Sequence, residues 1–234
     1  MTVASRRLLV LGLISTLALA GASNSGATTI QLRSGNVAPG NPEPAITVLV
    51  EPSTLCATPF ATLFTAADFA AADAGPPAWS VPAHPAWGQS LWCDPLAGWI
   101  STAPGWPSRS ALYSVPFNVP VPDPCCLESA TLDFCWMADD ILGDPAAAGG
   151  PNVLGVYLDG VPMPIAGGND SVGTRVIVDI KNYLHCGQNH LYIYNRDLGC
   201  AVAGINFSAQ INYVECVTPA KTSTWGAVRA LYRN

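Results

Sequence analysis

Apolar and polar residues alternate along several short stretches of the chain, as they do in strands that bury one face. The alternation is clearest at residues 131–136, 176–180 and 205–213. Shorter β-branched or apolar runs give the same signal elsewhere, and residues 65–73 favour a short helix. The predicted strands are 46–51, 97–101, 111–119, 128–138, 153–158, 174–183, 189–195 and 204–216.

Turn-forming residues separate these segments. Prolines follow 111–119, glycine and proline fill 143–151, and Asp159-Gly160 and 167–169 favour tight turns. Short strands spaced in this way predict an all-β fold, an antiparallel β-sandwich of the jelly-roll type with loops rich in tryptophan and proline.

The chain divides into four predicted segments. Residues 1–22 contain two arginines, an apolar run and then small residues, which predicts a cleaved signal peptide and an exported protein. The alternative is a membrane anchor, but an apolar run of about a dozen residues is short for a span that needs about 20. Residues 23–44 are small, polar and proline-rich, which predicts a flexible leader. We expect the sandwich domain over 45–218 and a separate C-terminal tail over 219–234, with no later segment that spans a membrane.

Composition narrows the classes of function. Charged residues make up 11% of the chain and the net charge is −6, which argues against binding to nucleic acid. The 21 prolines exclude long helices, and the aromatic content argues against disorder. No nucleophile elbow, phosphate-binding loop or metalloprotease motif is present, so we expect no enzyme activity. Asp133 and Asp159 could serve as a carboxylate pair for glycoside hydrolysis, but two acids can be drawn in nearly any protein.

The even number of cysteines indicates disulfides in an exported protein. Nearness in sequence suggests the pairs Cys56–Cys93 and Cys186–Cys200. Adjacent Cys125 and Cys126 should take different partners, with Cys135 and Cys216 as candidates. The alternative is a zinc site, which lacks the close cysteine pairs of structural zinc. The eight cysteines are Cys56, Cys93, Cys125, Cys126, Cys135, Cys186, Cys200 and Cys216, and the zinc alternative uses His185, Cys186, His190 and Cys200.

Several segments follow the order found in one family of domains. Their sequences are Trp99-Ile100-Ser101, YSVPFNVP at 113–120, ATLDFCWMADD at 130–140, GVYLDG at 155–160, YLHCGQNHLYIYN at 183–195 and AVAGINFSAQINY at 201–213. In this order they resemble the galactose-binding-like β-sandwich of secreted bacterial proteins and carbohydrate-binding modules. The resemblance covers about 96–216 and implies the fold, with a non-catalytic role in binding carbohydrate. The cysteines are a departure, because that fold does not require them.

Tryptophans in the loops are candidates for contact with a sugar, because a flat indole ring can stack on the apolar face of a pyranose. Trp79, Trp87 and Trp106 lie beside prolines and are the predicted ligand residues. The alternative is that they anchor proline-rich loops on the domain. Trp99 and Trp136 lie within predicted strands and are expected in the core.

Aspartates near two predicted turns are candidates for ligand or metal contacts. Asp139 and Asp140 are predicted to bind the sugar by hydrogen bonds. Together with Asp144 and Asp159 they could instead hold a structural Ca²⁺, whose ligands are oxygens. No other cofactor is predicted.

The C-terminal tail has its own pattern. Trp225, Val228, Leu231 and Tyr232 fall on one side of a helix, with Arg229 and Arg233 among the remaining positions. The tail resembles short tails of exported proteins in some Gram-negative bacteria, which implies contact with export or surface-docking machinery. The alternative is an amphipathic helix that lies on the domain.

Two functions follow from the sequence. The first is a secreted, extracellular bacterial module that binds carbohydrate or a cell-surface polymer through loop aromatics. The alternative is a structural or surface-assembly protein of the envelope or an appendage, without a small ligand.

Overall fold

The computed structural model describes residues 26–52, 60–121, 125–145 and 149–216. This part of the chain is almost entirely β-strand, with one helix, so the predicted all-β class is confirmed. The helix is α1 (Ala66–Asp73), and the strands are β1 (Ala27–Arg33), β2 (Pro42–Val50), β3 (Pro77–Ser80), β4 (Trp99–Ser101), β5 (Ala111–Val119), β6 (Leu127–Ala138), β7 (Ile141–Leu142), β8 (Val156–Leu158), β9 (Val161–Met163), β10 (Thr174–Asp179), β11 (Gly187–Arg196) and β12 (Ile205–Glu215).

The strands form one sheet in which every described pairing is antiparallel. The order is β10-β6-β12-β4-β3-β2-β5-β11-β8-β9, with β1 paired to β12 and β7 paired to β11. Tyr113 and Phe117 of β5 belong to the same buried cluster as Leu132 and Phe134 of β6 and Ile211 of β12. Strands from distant places in the sheet therefore share one core, and the sheet folds over it.

Two smaller clusters cover the outside of the sheet. Phe60, Phe69, Tyr157, Tyr192 and Tyr194 pack together where α1 lies on β8 and β11. The other cluster joins the segment 81–99 to the outward side of β6. Each of these clusters covers part of the sheet's outer surface.

The predicted leader over 23–44 is wrong from residue 27 onward. Ala27–Arg33 is β1, which pairs with β12 in a register that places Ile30 opposite Ile211. Ile30 and Leu32 are partly buried against the main core, and this burial stabilises the strand. Pro42 and Pro44 lie at the start of β2, and residues 23–25 are outside the described part.

Three disulfides are described, and they are Cys93–Cys135, Cys125–Cys186 and Cys126–Cys216. The adjacent cysteines do take different partners, as predicted, and Cys216 is one of them, but the other candidate, Cys135, is bonded to Cys93 instead. The pairs Cys56–Cys93 and Cys186–Cys200 are wrong, because the bonds join segments far apart in sequence instead of near neighbours. Cys200 is also disulfide-bonded, so the zinc alternative fails, and Cys56 lies outside the described residues.

The helix α1 forms where the sequence predicts it. The Asp68 carboxylate accepts a hydrogen bond from the Thr65 N–H at 2.8 Å, which satisfies a backbone donor at the start of the helix. Phe69 is buried against Tyr157 and Tyr192, so the helix is fixed on the sheet and its last residue, Asp73, lies beside β11.

Within the described ranges, no helix has the length and apolar character needed to cross a membrane. The predicted signal peptide at 1–22 and the predicted tail at 219–234 fall outside the described residues.

Candidate functional site

Polar side chains share the outward side of the strands around β6 and β12. Strand alternation sends Leu132 and Phe134 to the core, and it therefore sends Asp133 to the opposite side. Asp133 is paired in register with Gln210 of β12, and Gln210 in turn with Gln31 of β1. The result is a row of hydrogen-bonding groups across neighbouring strands.

A tight turn at Leu91–Asp94 is fastened to this polar row. Leu91 and Asp94 form a bridge, and Cys93 between them is bonded to Cys135 of β6. The Asp94 carboxylate accepts hydrogen bonds from Arg33 Nε at 3.0 Å and from Ser208 Oγ at 2.9 Å. Burial opposes ionisation of Asp94, but the bonds from Ser208 and Arg33 outweigh it and hold the pKa below its usual value.

This turn holds Trp92 outward, with 60% of the residue exposed. The indole Nε1 donates a hydrogen bond to the Gly173 carbonyl at 2.9 Å. A Cβ on Gly173 would lie 2.7 Å from the indole ring, so this close approach requires glycine. The Arg175 guanidinium carbon lies 5.9 Å from the ring centroid. The ring is therefore exposed and also fixed in orientation.

A cleft of about 230 Å³ opens beside Trp92. We call it the Trp92 cleft, and its lining residues are Trp92, Cys93, Asp133, Cys135, Arg175, Ser208 and Gln210. Arg175 Nε and a terminal nitrogen donate to the two oxygens of Asp133, at 2.8 and 2.5 Å. This bidentate pair fixes both side chains and neutralises their charges. The cleft thus combines one aromatic face with hydrogen-bond donors and acceptors.

The loop tryptophans named from the sequence lie elsewhere. Trp87 is 3% exposed and stacks on Trp99 with ring centroids 4.2 Å apart. Trp79 and Trp106 are partly buried against the same cluster. The ring centroids of His84 and Trp106 are 5.2 Å apart. The structure thus favours the packing alternative for Trp87, and none of the three lines the Trp92 cleft.

The predicted ligand residues Asp139 and Asp140 are engaged within the protein. Asp139 is 9% exposed, and its carboxylate accepts a hydrogen bond from Trp87 Nε1 at 2.9 Å. Burial raises the pKa of Asp139 to about 7, with smaller contributions from the charges of Asp140, Asp170 and Asp197. Asp140 has a left-handed backbone, and its carboxylate accepts from Leu198 N and from Gly199 N. Both aspartates hold local structure together.

Asp144 and Asp159 serve other parts of the fold. Asp144 is buried, with an oxygen 3.3 Å from Arg196 Nε, whereas Asp159 accepts a hydrogen bond from the His190 N–H at 2.7 Å. Among the described residues, no group of three or more His, Cys, Asp or Glu is arranged to hold a metal ion. The predicted calcium site at Asp139, Asp140, Asp144 and Asp159 therefore has no common centre.

A serine, a histidine and an aspartate do meet at the end of α1. Asp73 Oδ1 accepts from Ser114 Oγ at 2.6 Å and lies 2.8 Å from His190 Nδ1. In a hydrolytic triad the serine and the acid lie on opposite ring nitrogens, but Ser114 Oγ is 3.4 Å from the same Nδ1. Ser114 is also fully buried. This geometry does not make a nucleophile, and it holds Asp73 in place instead.

Sequence reasoning missed Trp92, Arg175 and Gln210 as ligand residues, and it named Asp133 only as one of a possible carboxylate pair. Trp92 carries a weak signal, because it directly precedes Cys93. Arg175 and Gln210 fit the alternation of their strands, and nothing else in the sequence around them indicates a binding site.

The chain matches no protein-family model and no curated protein.

Proposed function

We propose that this protein is a secreted, non-catalytic module that binds carbohydrate, as part of a surface polymer or glycan, in the Trp92 cleft. The observation that carries the proposal is the exposed and fixed Trp92 ring beside the Arg175–Asp133 pair and Gln210. The resemblance to galactose-binding-like sandwiches supports the same role, and the all-β, disulfide-bonded fold is compatible with it.

The chemistry of the cleft suits a neutral sugar. A pyranose ring has an apolar face that stacks on indole, and its hydroxyl groups need both donors and acceptors nearby. Trp92 offers the face, Arg175 offers N–H donors, Asp133 offers oxygens, and Gln210 offers both. Because the two charges are paired with each other, the cleft favours a neutral sugar over a charged one.

The site is organised before a ligand arrives. The disulfide to Cys135, the bonds to Asp94 and the bond to the Gly173 carbonyl fix the turn and the ring. Groups that are already ordered lose little conformational entropy on binding, so a small cleft can still bind usefully. Its size suits one ring of a longer chain, with neighbouring rings along the polar row.

Export is part of the proposal. The described disulfides fit an oxidising compartment, and the first residues have the pattern of a signal peptide. We therefore place the binding activity outside the cytoplasm, in the medium or at the cell surface.

Replacing Trp92 with alanine tests the proposal. We expect binding to a panel of insoluble polysaccharides and arrayed glycans to weaken at least about tenfold, because a central aromatic contact carries much of such binding energy. The melting temperature should change little, since the side chain is mostly exposed.

The matched control is Tyr183→Ala, which removes an exposed aromatic residue that does not line the cleft. Its binding should equal that of the unmodified protein. A Trp92→Ala variant that binds every ligand of the unmodified protein equally well would contradict the proposal, as would an unmodified protein that binds no glycan.

A surface-assembly role is the second candidate, and β10 is the observation that favours it. This strand ends the order of the sheet and has Ile177 62% exposed. An open edge with an exposed apolar residue can pair with a strand of another copy. Size-exclusion chromatography at increasing concentration distinguishes the two: growth into larger species that Ile177→Lys prevents supports assembly, and a monomer throughout excludes it.

A further inference from the structure

We propose that a second cleft, on the other side of the domain's core, binds an alkylammonium group, which is the cationic end of an amine on an apolar chain. The cleft has a volume of about 500 Å³ and lies between α1 and the turn that joins β8 to β9. We call it the Asp73 cleft. Its described lining residues include Phe64, Phe69, Asp73, Asp159, Val161 and Tyr192.

The lining of this cleft carries negative charge, and two histidines, His185 and His190, lie beside its carboxylates. Asp73 and Asp159 are the charged side chains among its described lining residues, which include neither lysine nor arginine. Both carboxylates, after burial itself, raise the pKa of the Tyr192 hydroxyl. Their negative potential therefore converges at one place, beside aromatic rings.

Asp73 is fixed by three neighbours. Ser114 Oγ donates to Oδ1 at 2.6 Å, His190 Nδ1 lies 2.8 Å from the same oxygen, and Tyr192 OH donates to Oδ2 at 3.0 Å. These contacts hold the carboxylate at the end of α1 against the β11 side chains. They also use the Tyr192 hydroxyl, and the Tyr192 ring packs against Phe69 and His190 as part of the cleft wall.

Asp159 is held from one side only. Its Oδ1 accepts from the His190 N–H at 2.7 Å, and its Oδ2 is 4.0 Å from His185 Nε2, a side chain that is 68% exposed. Burial raises the pKa of Asp159, the hydrogen bond from His190 and the charges of His185 and His190 lower it, and the negative charge of Asp73 adds a smaller rise. A cation bound between the two carboxylates would relieve that repulsion.

An ammonium group fits these walls better than a sugar or a metal ion does. The ionic groups of the cleft accept hydrogen bonds, whereas a sugar hydroxyl also needs a donor, as Arg175 and Gln210 provide in the Trp92 cleft. A metal ion needs several converging ligands, and the described residues contain no such group. Aromatic rings attract organic cations, and Phe64 and Val161 can cover an alkyl chain.

Titration with n-butylammonium chloride, followed by the backbone amide signals of the full chain in NMR spectra, tests the inference. We expect shifts at α1 and at 159–161 that weaken as salt is added. The uncharged analogue 1-butanol, which has the same alkyl chain, should bind at least about tenfold more weakly, because a charge-assisted hydrogen bond is lost. Equal binding of the two probes would overturn the proposal, as would shifts at this cleft with a neutral sugar alone.

Two variants test whether residues of the Asp73 cleft bind the ammonium group. Asp159→Asn keeps the shape and its acceptor oxygen but removes the charge, and it should weaken n-butylammonium binding about tenfold. Val161→Lys places a tethered ammonium at a residue that is 39% exposed, and it should block the probe without unfolding the protein. The control is Asp133→Asn in the Trp92 cleft, which should leave the titration unchanged. Unchanged binding in both cleft variants would refute the inference.

The ammonium group could come from a free polyamine or from a lysine side chain. Spermidine and Nα-acetyl-lysine methylamide separate these sources, since one offers several ammonium groups and the other offers one beside peptide groups. Stronger binding of either identifies the source, and failure of both overturns the proposal. The result is independent of glycan binding, because the Trp92 cleft shares no residue with this one.

Discussion

Replacing Trp87 with alanine is expected to lower the free energy of unfolding by about 3–5 kcal/mol, the usual cost of deleting a buried aromatic side chain. Trp87 stacks on Trp99, and a Cβ on Gly204 would lie 2.8 Å from its ring, so the site is closely packed. The change also removes the hydrogen bond to Asp139. Urea denaturation followed by circular dichroism measures the loss.

Trp87→Phe is the matched control for this experiment. It keeps most of the buried area and loses the indole N–H, so we expect a smaller loss of stability than for alanine. If Trp87→Ala leaves stability unchanged and abolishes glycan binding, the buried position of Trp87 is wrong and the sequence-based prediction that it contacts a sugar is right. We expect Trp87→Ala to lose stability and keep glycan binding, whereas Trp92→Ala should lose binding and keep stability.

Replacing Asp139 with asparagine is expected to stabilise the protein at pH 8 by about 2 kcal/mol, a rise in melting temperature of roughly 4–8 °C. In the folded protein the pKa of Asp139 is raised to about 7, whereas in the unfolded chain it is about 3.9. Between these values the folded state retains a proton that the unfolded state has lost. The stability of the unmodified protein therefore falls as pH rises from about 4 to 7.

The asparagine variant should lack this pH-dependent loss of stability. The difference in free energy of unfolding between the two proteins therefore grows from near zero at pH 4 to its full size above pH 7. Asparagine keeps an oxygen for the Trp87 N–H. Thermal denaturation at pH 4, 6 and 8 measures the difference, with Glu128→Gln, an exposed carboxyl, as the control. A constant difference at all three values would show that Asp139 does not retain the proton.

The sequence predicts the strands well where a buried face alternates with a polar one, as in β6 and β12. It fails at β1, because residues 27–33 are surrounded by small and polar residues and the pattern there is short. That strand is stabilised by pairing with β12, which is far away in the sequence. Pairing with a distant strand produces no local sequence pattern from which the strand could be predicted.

The site is harder to predict than the fold. Several tryptophans lie close together in the chain, yet Trp87 is buried and Trp92 is exposed. The Cys93–Cys135 disulfide and the contacts of Asp94 decide this, and both connect the loop to distant strands. Asp73 and His190 are 117 residues apart for the same reason. The sequence gives the chemistry of each side chain, but it does not predict which side chains lie next to each other in the fold.

The neighbouring cysteines Cys125 and Cys126 affect how the protein responds to mechanical tension. Cys216 follows the last residue of β12 and is bonded to Cys126, while Cys125 is bonded to Cys186 just before β11. Any pull on the chain beyond Cys216 passes into these covalent bonds before it reaches the hydrogen bonds that hold β12. A domain tethered by its C-terminal end would thus keep that strand from being peeled away.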